Sequence, residues 1–382
     1  MNWKKATGLG LATIVGVSLL ATACAAPATS TPTSAPTKPA AAPTGAAPAA
    51  TKAPSAPAAT TAPATQPAAT KPVATAPAKT SFPEKGKAIT FIVPYPAGGA
   101  TDIGGRLLCA SMEKELGVPI QVVNKGGAGS QTGLTELAGA KPDGYTIGFA
   151  NIPTAILIYM DPERKASFNG KSFVPIGVHV LDPSAIGVAA NSPFKTLKDL
   201  VDAGKAKPDT IRFGSDGPMT DDHLGIYLLE KSSGAKFVNV GFDGGAQVLT
   251  AVLGGHIEAS FGHVGDFVSQ VKSGNIRVLS VLDNEKSKFF PDVPTMKEAG
   301  YDAINSSART VVAPAGTPKE IVDTLSAAMK KAMQDPEQVK KLEDSGLTLR
   351  YMDAAQSSSF WAELETKSKV LVDQVRAEQK TK

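Results

Sequence analysis

Residues 89–102 read ITFIVPYPAGGATD, and this stretch decides the fold prediction. The apolar run at its start predicts a buried strand, and the prolines and glycines that follow predict a tight turn into a helix. Glycine lets a ligand approach the backbone closely, and a helix N-terminus offers free N–H groups with a partial positive charge. The stretch is therefore either a site for a carboxylate, sulfate or phosphate, or a strand-to-helix turn without a ligand.

A glycine-rich turn that leads into a predicted helix recurs along the chain. The segment GFDGGAQ at residues 241–247 again places Gly-Gly-Ala before a predicted helix. A third glycine-rich turn, GGAGSQTG at residues 126–133, also precedes a predicted helix. Two such loops on facing domains could hold an anion through backbone N–H groups, without any lysine or arginine.

The N-terminal part of the 382-residue chain differs from the rest in composition. Residues 1–24 have a basic start, an apolar run and small residues before Cys24, which predicts an export signal. Cys24 is either lipidated, which anchors the protein to a membrane surface, or left as a free thiol by cleavage after Ala23. Residues 25–82 consist almost wholly of Ala, Pro, Thr and Ser, and we expect a disordered tether there.

The charge of the chain is also uneven. Six lysines and no acidic residue fall within residues 1–82, so the remainder carries 33 basic and 35 acidic residues. The body of the protein is thus slightly acidic, and no nucleic-acid partner is predicted. The other cysteine, Cys109, is interpreted as a small buried residue of a helix.

Strand and helix patterns alternate after residue 82, which predicts a mainly parallel α/β architecture. Predicted strands cover residues 89–95, 120–124, 145–150, 174–181, 185–190, 210–214, 236–240, 259–261 and 277–281. Predicted helices cover residues 101–116, 131–140, 197–203, 222–232, 246–254, 264–273, 319–334, 336–345 and 354–378.

Motifs of enzymes and metal sites are weak. The sequence contains neither a G-x-S-x-G elbow nor an H-E-x-x-H motif, and the turn at residues 126–133 lacks the Lys-Ser/Thr ending of a P-loop. The four histidines show no spacing typical of a metal pair. We therefore expect no catalytic residue, no metal and no cofactor.

The motifs taken in order resemble the substrate-binding proteins of tripartite tricarboxylate transporters, the Bug or TctC-type family. The resemblance covers residues 82–382. It rests on PYPAGGATDIGGR (94–106), VVNKGGAGSQTG (122–133), KPDGYTI (141–147), DHL (222–224), LGGHIEASF (253–261), PDVPTMKEAGY (291–301) and VAPAGTP (312–318). Each motif alone is weak, but the ordered series is specific.

The resemblance implies a two-lobed periplasmic-binding-protein fold of type II, with two mainly parallel sheets flanked by helices and two crossings between the lobes. Residues 83–185 and 306–382 would form the first lobe, and residues 186–305 the second. The ligand would lie between the lobes. The implied ligand-binding residues are Tyr95, Ala97, Gly98, Gly99, Thr101, Asp102, Asn151, Thr154, Ser215, Asp216, Phe242, Gly244, Gly245, Ala246, His263 and Arg309.

Several of these positions depart from the family pattern. Asp216 and Met219 replace a usual serine and glycine, and Gly262-His263 replaces a usual Asp-Asn. Arg309 stands where an aromatic-rich segment is usual; it would bind a second ligand carboxylate or form a salt bridge. His263 would either face the cleft or merely start a helix outside it.

We therefore expect a monomeric, lipid-anchored extracytoplasmic receptor that captures a small organic carboxylate and delivers it to membrane permease subunits. The ligand could be a dicarboxylate, a tricarboxylate, an aromatic acid or an acidic amino acid, because all offer the same proximal carboxylate. Two other functions remain open: a sensor that signals to a membrane partner, and an extracytoplasmic enzyme acting on a carboxylate.

Overall fold

The computed structural model describes residues 82–379. The predicted export signal, Cys24 and all of the tether except Phe82 lie outside the described residues. No helix within residues 82–379 has the length and apolar character needed to cross a membrane.

The described residues form ten strands and ten α-helices. The strands are β1 (Ile89–Val93), β2 (Ile120–Asn124), β3 (Thr146–Ile152), β4 (Phe173–Ala189), β5 (Arg212–Ser215), β6 (Val238–Gly241), β7 (Ala259–His263), β8 (Ile276–Val281), β9 (Ser306–Pro314) and β10 (Leu349–Met352). The helices are α1 (Ala100–Leu116), α2 (Gln131–Ala138), α3 (Thr154–Met160), α4 (Leu197–Ala206), α5 (Asp221–Ser233), α6 (Gly245–Leu253), α7 (Val264–Lys272), α8 (Lys319–Ala332), α9 (Pro336–Asp344) and α10 (Ala354–Gln379).

Sequence reasoning missed three of these elements, β9, β10 and α3. The strand β9 begins with five small or polar residues, SSART, which hide its apolar second half. The helix α3 is a continuous run, TAILIYM, whose first five residues are all buried, so it shows no amphipathic period. The other elements agree with the prediction except at their ends and in the middle of β4.

The first sheet builds the core of the first lobe. Its order is β2-β1-β3-β9-β4, with β1 parallel to β2 and β3, and with β9 antiparallel to β3 and β4. The rings of Phe91 and Phe149 meet edge to face at 4.9 Å, and Leu108 and Met112 of α1 pack in the same cluster. Cys109 is buried there as a free thiol, which confirms its interpretation.

The second sheet builds the core of the second lobe. Strand β5 is parallel to β6 and β7, and the end of β4 is antiparallel to β7 and β8. Phe213 and Phe261 pack in this core with Leu200 of α4 and Leu229 of α5. In both sheets the parallel pairs are the predicted βαβ units, and antiparallel pairs come from the long strands and β10.

Strand β4 belongs to both sheets. Residues 173–183 pair with β9, and residues 184–187 pair with β7. The sequence predicts two strands here, 174–181 and 185–190, but the structure shows one strand of 17 residues. Pro183 does not interrupt it, because proline tolerates extended backbone where its nitrogen need not donate.

Candidate functional site

The two glycine-rich loops predicted to bind an anion face each other. Gly99 caps the N-terminus of α1, and Gly244 caps that of α6. A Cβ added to Gly99 would lie 3.9 Å from the backbone nitrogen of Ala246, and one added to Gly244 would lie 3.1 Å from Cδ of Pro96. We call residues 95–102 and 242–246 together the clasp.

The clasp encloses a cavity of about 20 Å³, which is room for about one water molecule. Ten of the sixteen predicted site residues line this cavity, together with three that sequence reasoning missed: Pro96, Ala100 and Asp266. The complete lining is Tyr95, Pro96, Gly99, Ala100, Thr101, Asp102, Asn151, Asp216, Gly244, Gly245, Ala246, His263 and Asp266.

Six predicted residues do not line this cavity. Ala97 and Gly98 are exposed on the outer side of the first loop, and Phe242 lines a separate open groove of about 450 Å³. Ser215 is fully buried and donates a hydrogen bond to Asn239. Thr154 and Arg309 lie behind the cavity. Arg309 holds Thr101, which lines it, and Thr154 holds Asp221, which in turn contacts the lining residue His263.

Asp102 organises the first loop of the clasp. Its carboxylate accepts hydrogen bonds from the backbone N–H of Gly98 at 3.0 Å, from Arg106 Nε at 3.1 Å and from Asn124 Nδ2 at 2.9 Å. Asn124 also donates to the carbonyl oxygen of Tyr95 at 3.0 Å. These contacts fix the loop between β1 and α1 before any ligand arrives.

Asp266 places a carboxylate between the two loops. Its Oδ1 accepts a hydrogen bond from the backbone N–H of Ala100 at 3.1 Å, and a Cβ added to Gly245 would lie 3.1 Å from the same oxygen. Burial opposes ionisation of Asp266, but hydrogen bonding and charge from His263, with smaller effects of Arg309 and Ala100, hold its pKa below the usual value. Asp266 therefore places a negative charge of the protein itself beside the clasp.

His263 begins a helix and also lines the cavity, so it does not lie outside the cleft. Its Nε2 lies 2.8 Å from Asp221 Oδ2, and its Nδ1 lies 3.7 Å from Asp266 Oδ2. Burial disfavours its charged form, but the charge and hydrogen bond of Asp221, the hydrogen bond of Asp266 and the charge of Asp222 together raise the pKa of His263 well above its usual value. His263 is thus an imidazolium between two carboxylates, which leaves it no capacity to accept a proton.

Asp221 is held from the other lobe by Thr154. The Thr154 hydroxyl donates to Asp221 Oδ1 and accepts a hydrogen bond from the Asp221 backbone N–H at 2.9 Å. Burial would raise the pKa of Asp221, but the charge and hydrogen bond of His263 and the hydrogen bond of Thr154 lower it. Thr154 therefore contributes to the site as a support across the two lobes.

Burial of the Asp221 carboxylate is offset by contacts with His263 and Thr154, and Asp216 and Asp222 lack such contacts. Within the described residues, Oδ1 of each is buried without a hydrogen-bond partner. Asp222 Oδ2 accepts only from the backbone N–H of Asp216, at 3.1 Å. Burial, followed by the charge of Asp221, raises the pKa of Asp216 to about 7. Burial, followed by the charge of Asp216, raises the pKa of Asp222 well above its usual value.

Arg309 forms a buried ion pair. Its Nη2 lies 2.8 Å from Asp182 Oδ2, and both side chains are about 1% exposed. Its Nε donates to Thr101 Oγ1 at 3.1 Å, and Asn151, its cross-strand partner on β3, also contacts that hydroxyl at 3.2 Å. Arg309 therefore supports the floor of the cavity through Thr101 and does not line it.

One cluster among the described residues has the composition of a metal site. Asp221, Asp222 and His263 present ligand atoms that all lie within 4.8 Å of one another. The histidine spacing in the sequence gave no sign of it, because His263 is about forty residues from its acidic neighbours. A metal ion would have to displace the proton of His263, whose Nε2 is already hydrogen-bonded to Asp221.

Comparison with known proteins identifies the family. The model described as "Tripartite tricarboxylate transporter family receptor" matches residues 105–376. The chain belongs to this family. It is 32% identical to the "UPF0065 protein in gbd 5'region" of Cupriavidus necator, over 79% of this chain and 92% of the relative. It is 29% identical to "Protein BugT" of Bordetella pertussis (strain Tohama I), over 69% of this chain and 81% of that protein.

Solved structures agree with this assignment. MatC from Rhodopseudomonas palustris, solved with bound malate, is 25% identical and gives a TM-score of 0.70, covering 76% of this chain and all of that one. The predicted two-lobed fold is thus confirmed as that of the TctC and Bug receptors. Proteins of this family are extracytoplasmic solute-binding proteins, so the resemblance stated from the sequence motifs is confirmed as well.

Proposed function

We propose that this receptor captures a small organic carboxylate in the clasp and delivers it to the permease of a tripartite tricarboxylate-type transporter. The proposal rests on a set of backbone N–H groups that have no hydrogen-bond acceptor in residues 82–379. Within the described residues, the backbone N–H groups of Gly99, Gly245 and Ala246 donate to no acceptor, although they lie at facing helix N-termini. Such groups bind carboxylates. The malate bound to the related MatC supports the same ligand class.

Capture would require the lobes to separate, since the cavity has room for about one water molecule. We propose that residues 83–185 with 306–382 move against residues 186–305, and that ligand binding favours the closed arrangement. Arg164 crosses the cleft in the closed form, where its Nη1 donates to the carbonyl oxygen of Pro218 at 2.8 Å.

The receptor would release its ligand chemically unchanged. His263, the residue best placed for acid–base chemistry, is held as a cation between Asp221 and Asp266 and cannot act as a base. We further propose that the protein acts as a monomer on the outer face of the cell membrane, through a lipid on Cys24.

Isothermal titration calorimetry with a panel of carboxylates tests the clasp. Gly99 has an ordinary φ of −81° that tolerates a side chain, but a valine there would obstruct the donor of Ala246 at 3.9 Å. We expect Gly99→Val to weaken binding at least tenfold, whereas Gly139→Val, at a helix end with a φ of −88°, leaves it unchanged. Full affinity of Gly99→Val for the bound carboxylate would refute the clasp.

A further inference from the structure

The cleft contains more acidic than basic side chains. Two bases, His263 and Arg309, are buried around the cavity, and they form ion pairs with Asp221 and Asp182. Besides Asp102, which pairs with Arg106 of its own helix, five acids share this region: Asp182, Asp216, Asp221, Asp222 and Asp266. The surplus is unusual for a pocket that must accept an anion, because like charges at short range repel strongly in a buried site.

One acid of this surplus lines the cavity and has a buried oxygen without a hydrogen-bond partner in residues 82–379. Asp216 lines the cavity, its side chain is more than nine-tenths buried, and its Oδ1 has no hydrogen-bond partner among the described residues. A buried acceptor without a donor is rare in folded proteins and indicates a missing partner. A partner that satisfies this oxygen as an acceptor must bring N–H or O–H groups.

A second acid faces the same space. Asp266 lies at the clasp as a carboxylate and occupies the N–H of Ala100, while Gly99, Gly245 and Ala246 keep their donors free. A ligand carboxylate that binds these donors therefore comes close to Asp266. A protonated amine on the ligand, beside its carboxylate, would offset the repulsion between that carboxylate and Asp266. It would also give Asp216 a hydrogen-bond donor.

We propose that the ligand is a carboxylate that also carries a protonated amine, with its ammonium group bound by Asp216 and Asp266. This assignment rests on the proposed function, since the clasp supplies the carboxylate site. It names the class of amino acids and related zwitterions. The alternative is that Asp216 binds a divalent metal ion together with Asp222, and the test distinguishes the two.

Matched ligand pairs that differ only in the amine test the assignment. Isothermal titration calorimetry on the full chain would compare aspartate with succinate, glutamate with glutarate, and alanine with propionate. We expect the amino member of the tightest pair to bind at least tenfold more tightly. Asp216→Asn, which keeps the shape of the side chain, should abolish that preference. Asp292→Asn removes an exposed charge outside the clasp and should preserve it.

The outcomes separate the two proposals. Equal or tighter binding of the deaminated acids would overturn the ammonium assignment and leave the carboxylate receptor intact. Binding of no acid from the panel would overturn both. A preference that disappears when EDTA is added and returns with a divalent cation would assign Asp216 to a metal ion and overturn the ammonium site. A preference that survives both EDTA and Asp216→Asn would overturn the role of Asp216.

Discussion

The Oδ1 atom of Asp266 lies 3.1 Å from the backbone nitrogen of Ala100, so a side-chain carboxylate of one lobe accepts a hydrogen bond from a helix N-terminus of the other. The position suits an anion, since the partial positive charge of α1 is directed at it. A carboxylate of the protein thus stands beside the place proposed for a ligand carboxylate. Several measurable consequences follow from this arrangement and from the network around it.

Replacing Asp266 by asparagine should strengthen the binding of simple dicarboxylates. The amide keeps an oxygen that can accept from Ala100, but it removes a negative charge beside the bound anion. We expect about a tenfold gain in affinity, equivalent to about 1.4 kcal/mol, for the best binder among acids from malonate to adipate. Calorimetry at low ionic strength measures it, and Asp292→Asn, which removes an exposed charge outside the clasp, is the control. A loss of affinity in Asp266→Asn would contradict the prediction.

Replacing Asp216 by asparagine should stabilise the protein in a pH-dependent way. Folding raises the pKa of Asp216 from 3.8 to about 7, chiefly through burial. A carboxyl group with a raised pKa in the folded state destabilises that state increasingly between about pH 4 and pH 7, and by a constant amount above. The gain at pH 8 is therefore up to about 4 kcal/mol, because each pKa unit corresponds to about 1.4 kcal/mol.

Urea denaturation at pH 8 and at pH 4 measures this effect. The free energy of unfolding of Asp216→Asn should exceed that of the parent protein at pH 8, and the difference should shrink toward zero at pH 4. The groups that set the local charge are Asp221, Asp222, Asp243, His263 and Asp266. A difference that is equal at both pH values would show that charge at Asp216 is not its cause.

Removal of Arg309 should destabilise the first lobe strongly. Arg309→Met keeps much of the side-chain volume but leaves Asp182 as a buried carboxylate without its partner, at a cost of about 3–5 kcal/mol. Arg212, whose ion pair with Glu258 is partly exposed, provides the matched control, and Arg212→Met should cost less than about 1 kcal/mol. The free energy of unfolding is measured by urea denaturation at pH 7. Similar losses of stability in the two variants would refute the expected difference between the buried and the partly exposed ion pair.

Thr154→Val should shift the unliganded protein toward an open form. The hydroxyl of Thr154 joins the first lobe to Asp221 of the second through two hydrogen bonds, and valine has the same shape without them. We expect a larger radius of gyration by small-angle X-ray scattering. The control is Thr324→Val, which removes a hydroxyl bonded only within its own helix. An unchanged scattering profile for Thr154→Val would contradict this role.

Local patterns predicted most of the fold because they act over a few residues. The helix α1 was expected to end at Gly117, and that glycine does adopt the left-handed conformation, with a φ of 68°, that ends helices. Each Gly-Gly-Ala loop was predicted at the carboxyl end of a strand, where ligand-binding loops gather, but the facing of the two loops was implied only by the family resemblance, since they follow strands of different sheets. The series of family motifs then supplied the arrangement of the lobes.

The charge network of the cleft was not predictable in the same way. Asp266 is the third residue of α7 and looks in sequence like any acidic residue that complements a helix N-terminus. Its contact with Ala100 joins positions 166 residues apart, and no local pattern carries that information. The helix predicted over residues 222–232 is likewise present as α5, but only the fold places His263 against Asp221.

The long connection between β3 and its neighbour β9 affects how the protein can be made. Strand β3 ends at Ile152, yet the strand that completes its sheet spans Ser306–Pro314, after the whole second lobe. Because the chain is synthesised from its N-terminus, the second lobe can assemble while the first still lacks strand β9. Any fragment that stops before residue 314 would expose an edge of β3 and the buried face of α1, so such fragments should aggregate.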